Sequence, residues 1–406
     1  MVEKLVPTLR FLEFNENWEE KSLGEILSRR KEKHKISKDT PLLAFAAGQG
    51  VIDRSERKTN NRDFLTKDSK NKTYLLTEYN DIVYNPSNLK YGAIDRNSHG
   101  KGVISPIYVT FVSNVSPLFM EYIVKSYNFK QKALKYEEGT VIKRQSVHPK
   151  DLVKIKIKIP KTESERIKIG TFLSSIDKKM ELLEKKHDKF QNFKKYLMQQ
   201  IFTQKLRFDF DEEWNNDTIG NNSEVFGRIG FRGYTVDDLV NKGEGALTIG
   251  GKHISKDYQL DLSDPEYLSW EKYEESPEIK IYNNDVLLVK TASVGKVCFI
   301  ENLNEPATLN PQLIVFKNIK LNNKFFYYYL TSNLFQKDIH KIKSTTGIPT
   351  ITQKELLNLN IIYPSLEEQE KIVNLLSIVD KKIFAIDKNI QDIKEFKKGL
   401  LQQMFI

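Results

Sequence analysis

Between Leu173 and Ile201 the chain sets Leu173, Met180, His187, Lys194 and Ile201 seven residues apart, with Ile176, Leu183, Phe190 and Leu197 three residues after the first four. Alternating steps of three and four put these side chains on one stripe of an α-helix, and the intervening positions are rich in Lys, Glu and Asp. The pattern predicts a long amphipathic helix with a heptad seam. Leu376, Ile383, Ile390, Lys397 and Met404, with Val379, Ile386, Ile393 and Leu400, form a second and more apolar seam. Each stripe follows a proline, Pro160 or Pro364, and opens with acidic residues, as a helix N-terminus favours. Before each proline the pattern changes to the strand-like VKIKIKI and LNLNIIY. A helix of about 40 residues would be about 60 Å long. Both seams carry a lysine at the same a position, Lys194 and Lys397, where a charge either fixes register at a cost in stability or snorkels to water.

The two stripes are copies of one phrase. FKKYLMQQIF at 193–202 and FKKGLLQQMF at 396–405 are identical at seven of ten positions, 203 residues apart. FLSSIDKK (172–179) and LLSIVDKK (375–382) keep that offset, with Asp177 against Asp380. IKIPKTESERIKI (157–169) parallels IIYPSLEEQEKI (361–372), SPIYVTF (105–111) parallels NPQLIVF (310–316), and Asp81-Ile82-Val83 faces Asp285-Val286-Leu287. The starts agree too, LRFLEFNENW (9–18) with LRFDFDEEW (206–214). The chain therefore reads as a tandem of two equivalent halves. The stretch KHKISKDTPLLAFAAGQGVIDRSERKTNN has no counterpart in the second half, so the globular parts have diverged and are expected to read two different things.

These patterns predict an α/β (α+β) fold. Globular domains at 1–160 and 205–363 have strand-rich cores and short helices, with helices over 118–129 and 325–335 whose aromatic residues serve core burial. Helical spacers at 161–204 and 364–406 pack as an antiparallel coiled coil, relate the halves by a pseudo-twofold axis, and make one rigid spacer.

PSLEEQEKI (364–372), the heptads behind it, and the FKK-x-L-x-QQ-x-F ends of both copies resemble the specificity subunit of type I restriction-modification systems. The first copy departs from the pattern, with TESER where the second has LEEQE. The resemblance spans essentially the whole chain. It implies a non-catalytic reader of double-stranded DNA, with two target recognition domains on the halves of a split site and the helices setting an unspecified gap. It also implies two methyltransferase subunits carrying S-adenosylmethionine and motor-nuclease restriction subunits using ATP and Mg²⁺, with no cofactor in this chain.

Composition adds direction to that picture. A formal charge of +10, from 64 Lys+Arg against 54 Asp+Glu, favours a polyanionic partner. The single Cys298 excludes a disulfide framework and is read as a buried strand residue. The sequence contains neither a signal-like apolar segment nor a membrane-span run, and a cytoplasmic location is expected. YNPSNL (84–89) departs from an adenine-methyltransferase signature and is read as a turn at Asn85-Pro86; VKTASVGKV (289–297) lacks the residues of a phosphate loop and is read as a turn between strands. Asp264, Glu278 and Lys280 mimic a Mg²⁺ nuclease cluster, the basis of a rival enzymatic reading. A coiled-coil adaptor without DNA specificity is a third. The six histidines show no metal-ligand spacing.

Loops that mix cations with amides or aromatics are the candidate DNA readers, since Arg and Lys reach phosphates and guanine edges while Asn and Gln suit adenine. In the first half they carry Arg54, Arg57 and Lys58 (48–62), Lys90, Tyr91, Arg96 and Lys101 (88–102), and Lys143 and Arg144 (142–146). In the second they carry Lys252 and His253 (250–256), Lys290 and Lys296 (289–296), and Lys341 and Lys343 (340–347).

Overall fold

The computed structural model describes residues 6–56, 72–138, 145–228, 232–344 and 347–406. The chain divides into two compact units, residues 1–184 with 388–406 and residues 185–387.

In the first unit the buried run Ile82–Tyr84 is an inner strand of a four-stranded antiparallel sheet, ordered Leu27–Arg30, Val109–Ser113, Ile82–Tyr84, Ile94–Arg96. A turn at Glu78–Asp81 launches that strand, with Asn80 at φ 76° and the Asp81 carboxylate accepting from the Glu78 amide at 2.8 Å. Arg30 Nε donates to the same carboxylate at 2.8 Å; burial pushes the Asp81 pKa up, while Arg30 opposes the rise. Lys33–His34, Tyr74–Thr77 and Gly102–Ile104 form a second sheet, and Leu43–Ala46 pairs with Gly50–Asp53 in a hairpin. Glu19–Ser22 pairs with Lys156–Ile159, so the start of this unit is stitched to the strand that precedes the first long helix.

The second unit repeats the sheet order as Glu224–Phe226, Leu313–Lys317, Val286–Val289, Val297–Phe299. Its turn is equivalent, with Asn284 at φ 76° and the Asp285 carboxylate accepting from the Tyr282 amide and from Lys317. A further sheet, Leu239–Val240, Glu266–Ser269, Gly245–Ile249 and Ala307–Leu309, includes one parallel pair, Gly245–Ile249 with Ala307–Leu309. Asn215–Thr218 pairs with Asn360–Tyr363, matching the stitch in the first unit. Cys298 is buried in its strand.

The helices expected over 118–129 and 325–335 are each two: Pro117–Lys125 with Tyr127–Leu134, and Asn323–Thr331 with Asn333–Ile342. The break falls at Ser126 and Ser332, both extended, whose hydroxyls accept from the amides of Phe129 (3.1 Å) and Phe335 (3.3 Å) and so cap the next helix. The aromatic run Phe325–Tyr329 lies in the core.

The long helices are Glu163–Phe202 and Leu366–Met404. In the first unit Leu173 and Ile176 of one share a core with Leu400 and Met404 of the other. In the second unit Leu197 and Ile201 share a core with Leu376, Val379 and Ile383. Asp177 meets Lys397 and Glu184 meets Lys394 in the first unit, and His187 meets Asp387 and Lys194 meets Asp380 in the second, so within each unit the segments run in opposite directions. Gly170 lets the helix Pro117–Lys125 approach closely, for a Cβ there would lie 2.8 Å from the Phe119 amide nitrogen.

Candidate functional site

In the first unit the hairpin Leu43–Ala46/Gly50–Asp53 and the 3₁₀ turn Pro86–Tyr91 enclose a cleft of about 550 Å³. Gly48 and Gly50, at φ 80° and 75°, turn the hairpin tip; Asn85 starts the 3₁₀ turn by accepting from the Ser87 amide at 3.1 Å, which makes YNPSNL the turn its sequence indicates. Phe45 and Tyr108 line the cleft wall, Gln49 and Asn88 offer amides, and Tyr91 is 69% exposed. An amide presents a donor and an acceptor together and an open aromatic face accepts stacking, a combination suited to the edges and faces of bases.

The candidate cations of this unit have separate fates. Lys90 lies 3.3 Å from Glu137 and over the Tyr91 ring; Arg54 is half-buried; Lys101 is 3.9 Å from Glu78 and 54% exposed. Arg96 is a correction. It is 8% exposed, its Nε donates to Glu121 at 2.7 Å and an Nη to Asn80 at 3.0 Å, so it braces the sheet against a helix instead of facing solvent. Arg57, Lys58, Lys143 and Arg144 lie outside the described residues.

In the second unit two candidate loops meet at Gln312, and the segment that follows the third reaches them through Pro349. Ala292 donates to Pro349 O at 2.9 Å, Lys290 donates its amide to Gln312 O at 2.8 Å, and Gly251 donates to Gln312 Oε1 at 3.3 Å. Exposed Gln312 and half-buried Asn310 stand at this junction beside Lys290. Partial burial holds the Lys290 pKa below its ordinary value, and no carboxylate meets it among the described residues. Lys343 is half-buried close by in sequence to that loop, and Lys341 is exposed and paired with Asp338.

Two residues here are corrections. His253 is 2% exposed; its Nδ1 accepts from the Gly250 amide at 2.9 Å, leaving Nε2–H to donate to Asp264 O at 3.0 Å. Lys296 donates to Ile254 O at 2.7 Å and so holds one loop against another. Lys252 is taken by Asp264 and Glu266 at 2.8 and 2.9 Å. The nuclease-like triplet does not converge: Asp264 faces Lys252, Glu278 faces Arg232 at 3.2 Å, and Lys280 faces Glu274 at 2.6 Å. No group of three or more His, Cys, Asp or Glu among the described residues could hold a metal ion. The amides Gln49 and Asn88 lie inside the candidate loops and Asn310 and Gln312 outside them, so for the last two the fold alone brings an amide beside the loop cations.

The seam residues line up on the buried stripe. Leu173, Ile176, Leu197, Leu376, Val379, Ile383, Ile386, Ile390 and Leu400 are buried, and Met180, Leu183, Phe190 and Ile393 are half-buried. The two seam lysines enter matching junctions. In the second unit Lys194 Nζ lies 2.6 Å from Asp380 Oδ1, Tyr328 donates to Asp380 Oδ2 at 2.7 Å, and the ammonium sits 5.4 Å from the Tyr328 ring centre. In the first, Lys397 pairs with Asp177 Oδ1, Tyr122 donates to Asp177 Oδ2 at 2.7 Å, and the ammonium is 5.4 Å from the Tyr122 ring. Each junction thus joins the globular part to both long helices, and burial with the nearby carboxylate pushes both phenol pKa values up. A second matching contact closes the helix starts: Arg10 forks onto Glu165 at 2.7 and 2.8 Å, Arg207 onto Glu368 at 3.2 and 2.7 Å. Where the sequences diverge, Arg166 Nη1 donates to Pro160 O at 2.7 Å and Gln369 Nε2 to Pro364 O at 2.9 Å, one contact made by two residue types.

Residues 235–395 match the family described as the type I restriction modification DNA specificity domain. The chain is 25% identical over 318 residues to the type I restriction enzyme MjaVIII specificity subunit of Methanocaldococcus jannaschii, covering 74% of this chain and 73% of that one. It is 28% identical over 155 residues to the putative MjaX specificity subunit of the same organism, covering 37% and 36%. The fold is shared with the crystal structure of the type I restriction-modification S subunit from M. genitalium, at TM-score 0.63, 16% identity and 99% coverage of both chains. A chain from a type I R-M system solved for complex assembly and conformational transition gives TM-score 0.54 at 17% identity, covering 97% and 99%.

Proposed function

Residues 235–395 carry a type I restriction modification DNA specificity domain and the chain is a relative of the type I specificity subunits; from that premise we propose that it is the DNA-reading subunit of a type I restriction-modification complex. Residues 1–160 and 205–363 act as two target recognition domains, each reading one half of a bipartite double-stranded site. The helical regions 161–204 and 364–406 act as an antiparallel coiled-coil spacer with pseudo-twofold symmetry, which sets the unspecified gap and docks two methyltransferase subunits. Restriction subunits complete the assembly. S-adenosylmethionine, ATP and Mg²⁺ belong to those partners, and this chain recognises without catalysing.

The observation that supports the reading is one set of framework contacts made in both units beside surfaces that differ. The framework recurs residue for residue: the Asp turn, the Ser-capped helix pair, the Tyr–Asp–Lys junction and the Arg–Glu fork. The amide-bearing surfaces differ, Gln49, Asn88 and Tyr91 in one unit and Asn310, Gln312 and Lys290 in the other. Direct readout needs this division, because backbone contacts position a protein while side chains at base edges specify the sequence. Arg228 supports the second surface from beneath, buried and donating to Leu309 O at 3.1 Å and Thr308 Oγ1 at 3.2 Å.

Methylome sequencing of a host carrying the chain with its methyltransferase tests the reading. A split motif with a fixed gap is expected; an unsplit motif or no new methylation contradicts it. The purified chain alone, given DNA and Mg²⁺, is expected neither to cut nor to methylate, which separates it from the nuclease reading. A preference for target over random DNA that persists as salt is raised separates it from a non-specific adaptor.

A further inference from the structure

The second unit serves as an internal control for the first, because one framework is built twice and a residue the framework needs should appear in both. One set of charges in the first unit does not recur. A groove of about 740 Å³ lies among the helix Tyr127–Leu134, the strand Lys156–Ile159, the end of the second long helix from Lys394 onward and Phe405 just beyond it. Its floor is apolar, with Phe129, Ile157, Leu401 and Phe405, and its rim carries Lys132, Lys158, Lys394 and Lys398. Tyr127, 77% exposed, stands beside it.

The rim charges are largely uncompensated. Lys132 Nζ donates to the carbonyl of Lys156 at 3.1 Å, Lys394 reaches Glu184 only at 3.8 Å, and Lys158 and Lys398 meet no carboxylate among the described residues. The matching positions of the second unit follow from the shared Ser caps, the shared strand pairs and the 203-residue offset of the helices. There Lys132 becomes Asp338, Lys158 becomes Ile362 and Lys394 becomes Gln191, and only Lys398 keeps its charge as Lys195. The same fold thus forms without this lysine set, so the set is not there to hold the fold. By contrast Lys397, the neighbour committed to Asp177, recurs as Lys194.

We propose that this groove is the docking site of an acidic amphipathic helix from a partner protein, apolar face on the floor and carboxylates on the lysine rim. A helix laid in a groove reads as apolar anchors flanked by charge, and this surface is the complement of that pattern. A nucleic-acid backbone fits less well, since it offers nothing apolar to cover half-buried Leu401 and Phe405 and exposed Tyr127. The inference rests on the proposed function in taking a methyltransferase subunit as the partner. It adds that the two halves hold their partners differently, one copy depending on charge and the other not.

The test uses the full chain and its methyltransferase subunit, titrated at low and high salt and followed by native mass spectrometry. The triple variant Lys132→Asp, Lys158→Ile, Lys394→Gln installs residues that the second unit already accommodates. Weakening of one of the two bound copies on the order of tenfold at low salt, with the other copy unchanged, is expected. The single variant Lys398→Glu, at an exposed helix position, should act in the same direction and guards against misfolding of the triple. Both copies bound at wild-type affinity by the two variants overturns the proposal, as does weakened DNA binding with intact protein docking, which would make the groove a phosphate surface. A wild-type chain that captures no methyltransferase at all would instead overturn the functional reading and this proposal together.

Discussion

Replacing Lys194 by Met, Asp380 by Asn, and both together gives a double-mutant cycle on the better enclosed of the two Tyr–Asp–Lys junctions. The charges approach to 2.6 Å, with side chains 14% and 26% exposed. At an effective dielectric near 20 their attraction is about 6 kcal/mol before solvation is counted. Removing both ends from water opposes most of this, and the exposed fraction admits screening, so a net coupling of about 1–2 kcal/mol is expected. Lys194→Met alone should cost about 2 kcal/mol, because Asp380 keeps only the Tyr328 hydroxyl, which itself lies 3.3 Å from the Ser377 hydroxyl. Met fills the space of the lysine stem, so packing loss is small. Chemical denaturation followed by tyrosine fluorescence and circular dichroism measures the cycle, with the transition of the second unit resolved from that of the first. A coupling below about 0.3 kcal/mol would refute the reasoning, for the lysine would then be a solvated surface charge that happens to lie near a carboxylate.

Arg10→Ala strips Glu165, 1% exposed, of its forked partner and leaves only Trp18 Nε1 at 3.2 Å; a loss of about 3–5 kcal/mol is expected by calorimetry, and under about 1 kcal/mol contradicts it. Gly170→Ala gains up to about 1 kcal/mol of helix propensity but pushes a Cβ to 2.8 Å from the Phe119 nitrogen, so a net loss of about 1–2 kcal/mol is expected in denaturant melts where propensity alone predicts a gain. Burial pushes the Cys298 thiol up to about 12 from an ordinary 9.0, so the folded state holds the proton that the unfolded chain releases. The associated stability is whole below pH 9 and is lost as pH rises towards about 12; a thiol reagent at pH 8 should find no reactive group in the native chain and one in denaturant.

The long helices were legible because a heptad of apolar residues survives whatever packs on it; of the positions assigned to the seam, Leu173, Ile176, Leu197 and Leu376 among others are buried, while Met180, Leu183, Phe190 and Ile393 are half-buried. The triplets Asp81-Ile82-Val83 and Asp285-Val286-Leu287 were legible as equivalent positions, and the turn that each aspartate closes emerges only from the backbone. The helix breaks at Ser126 and Ser332 were not legible, since a serine within a helical pattern and a serine that caps a new helix look alike until backbone angles are known. That Arg96 and Lys296 face inward was hidden for a related reason. Arg96 finds Glu121 25 residues away and Lys296 finds a carbonyl 42 residues away, distances over which a sequence gives no sign of pairing. Lys194 and Lys397 stood out on their seams, and Asp177 and Asp380 matched between copies, yet that each lysine meets the aspartate of the other copy emerges only from the fold. The departure TESER cost nothing structurally, because Arg166 reaches the proline carbonyl that Gln369 reaches in the second copy.

One measurement bears most directly on the claim that this chain holds two independent readers: the methylated motif of a host before and after residues 206–355 are exchanged for the equivalent segment of a related subunit. One half-site is expected to change while the other half-site and the gap stay as they were. A motif altered in both halves would contradict it.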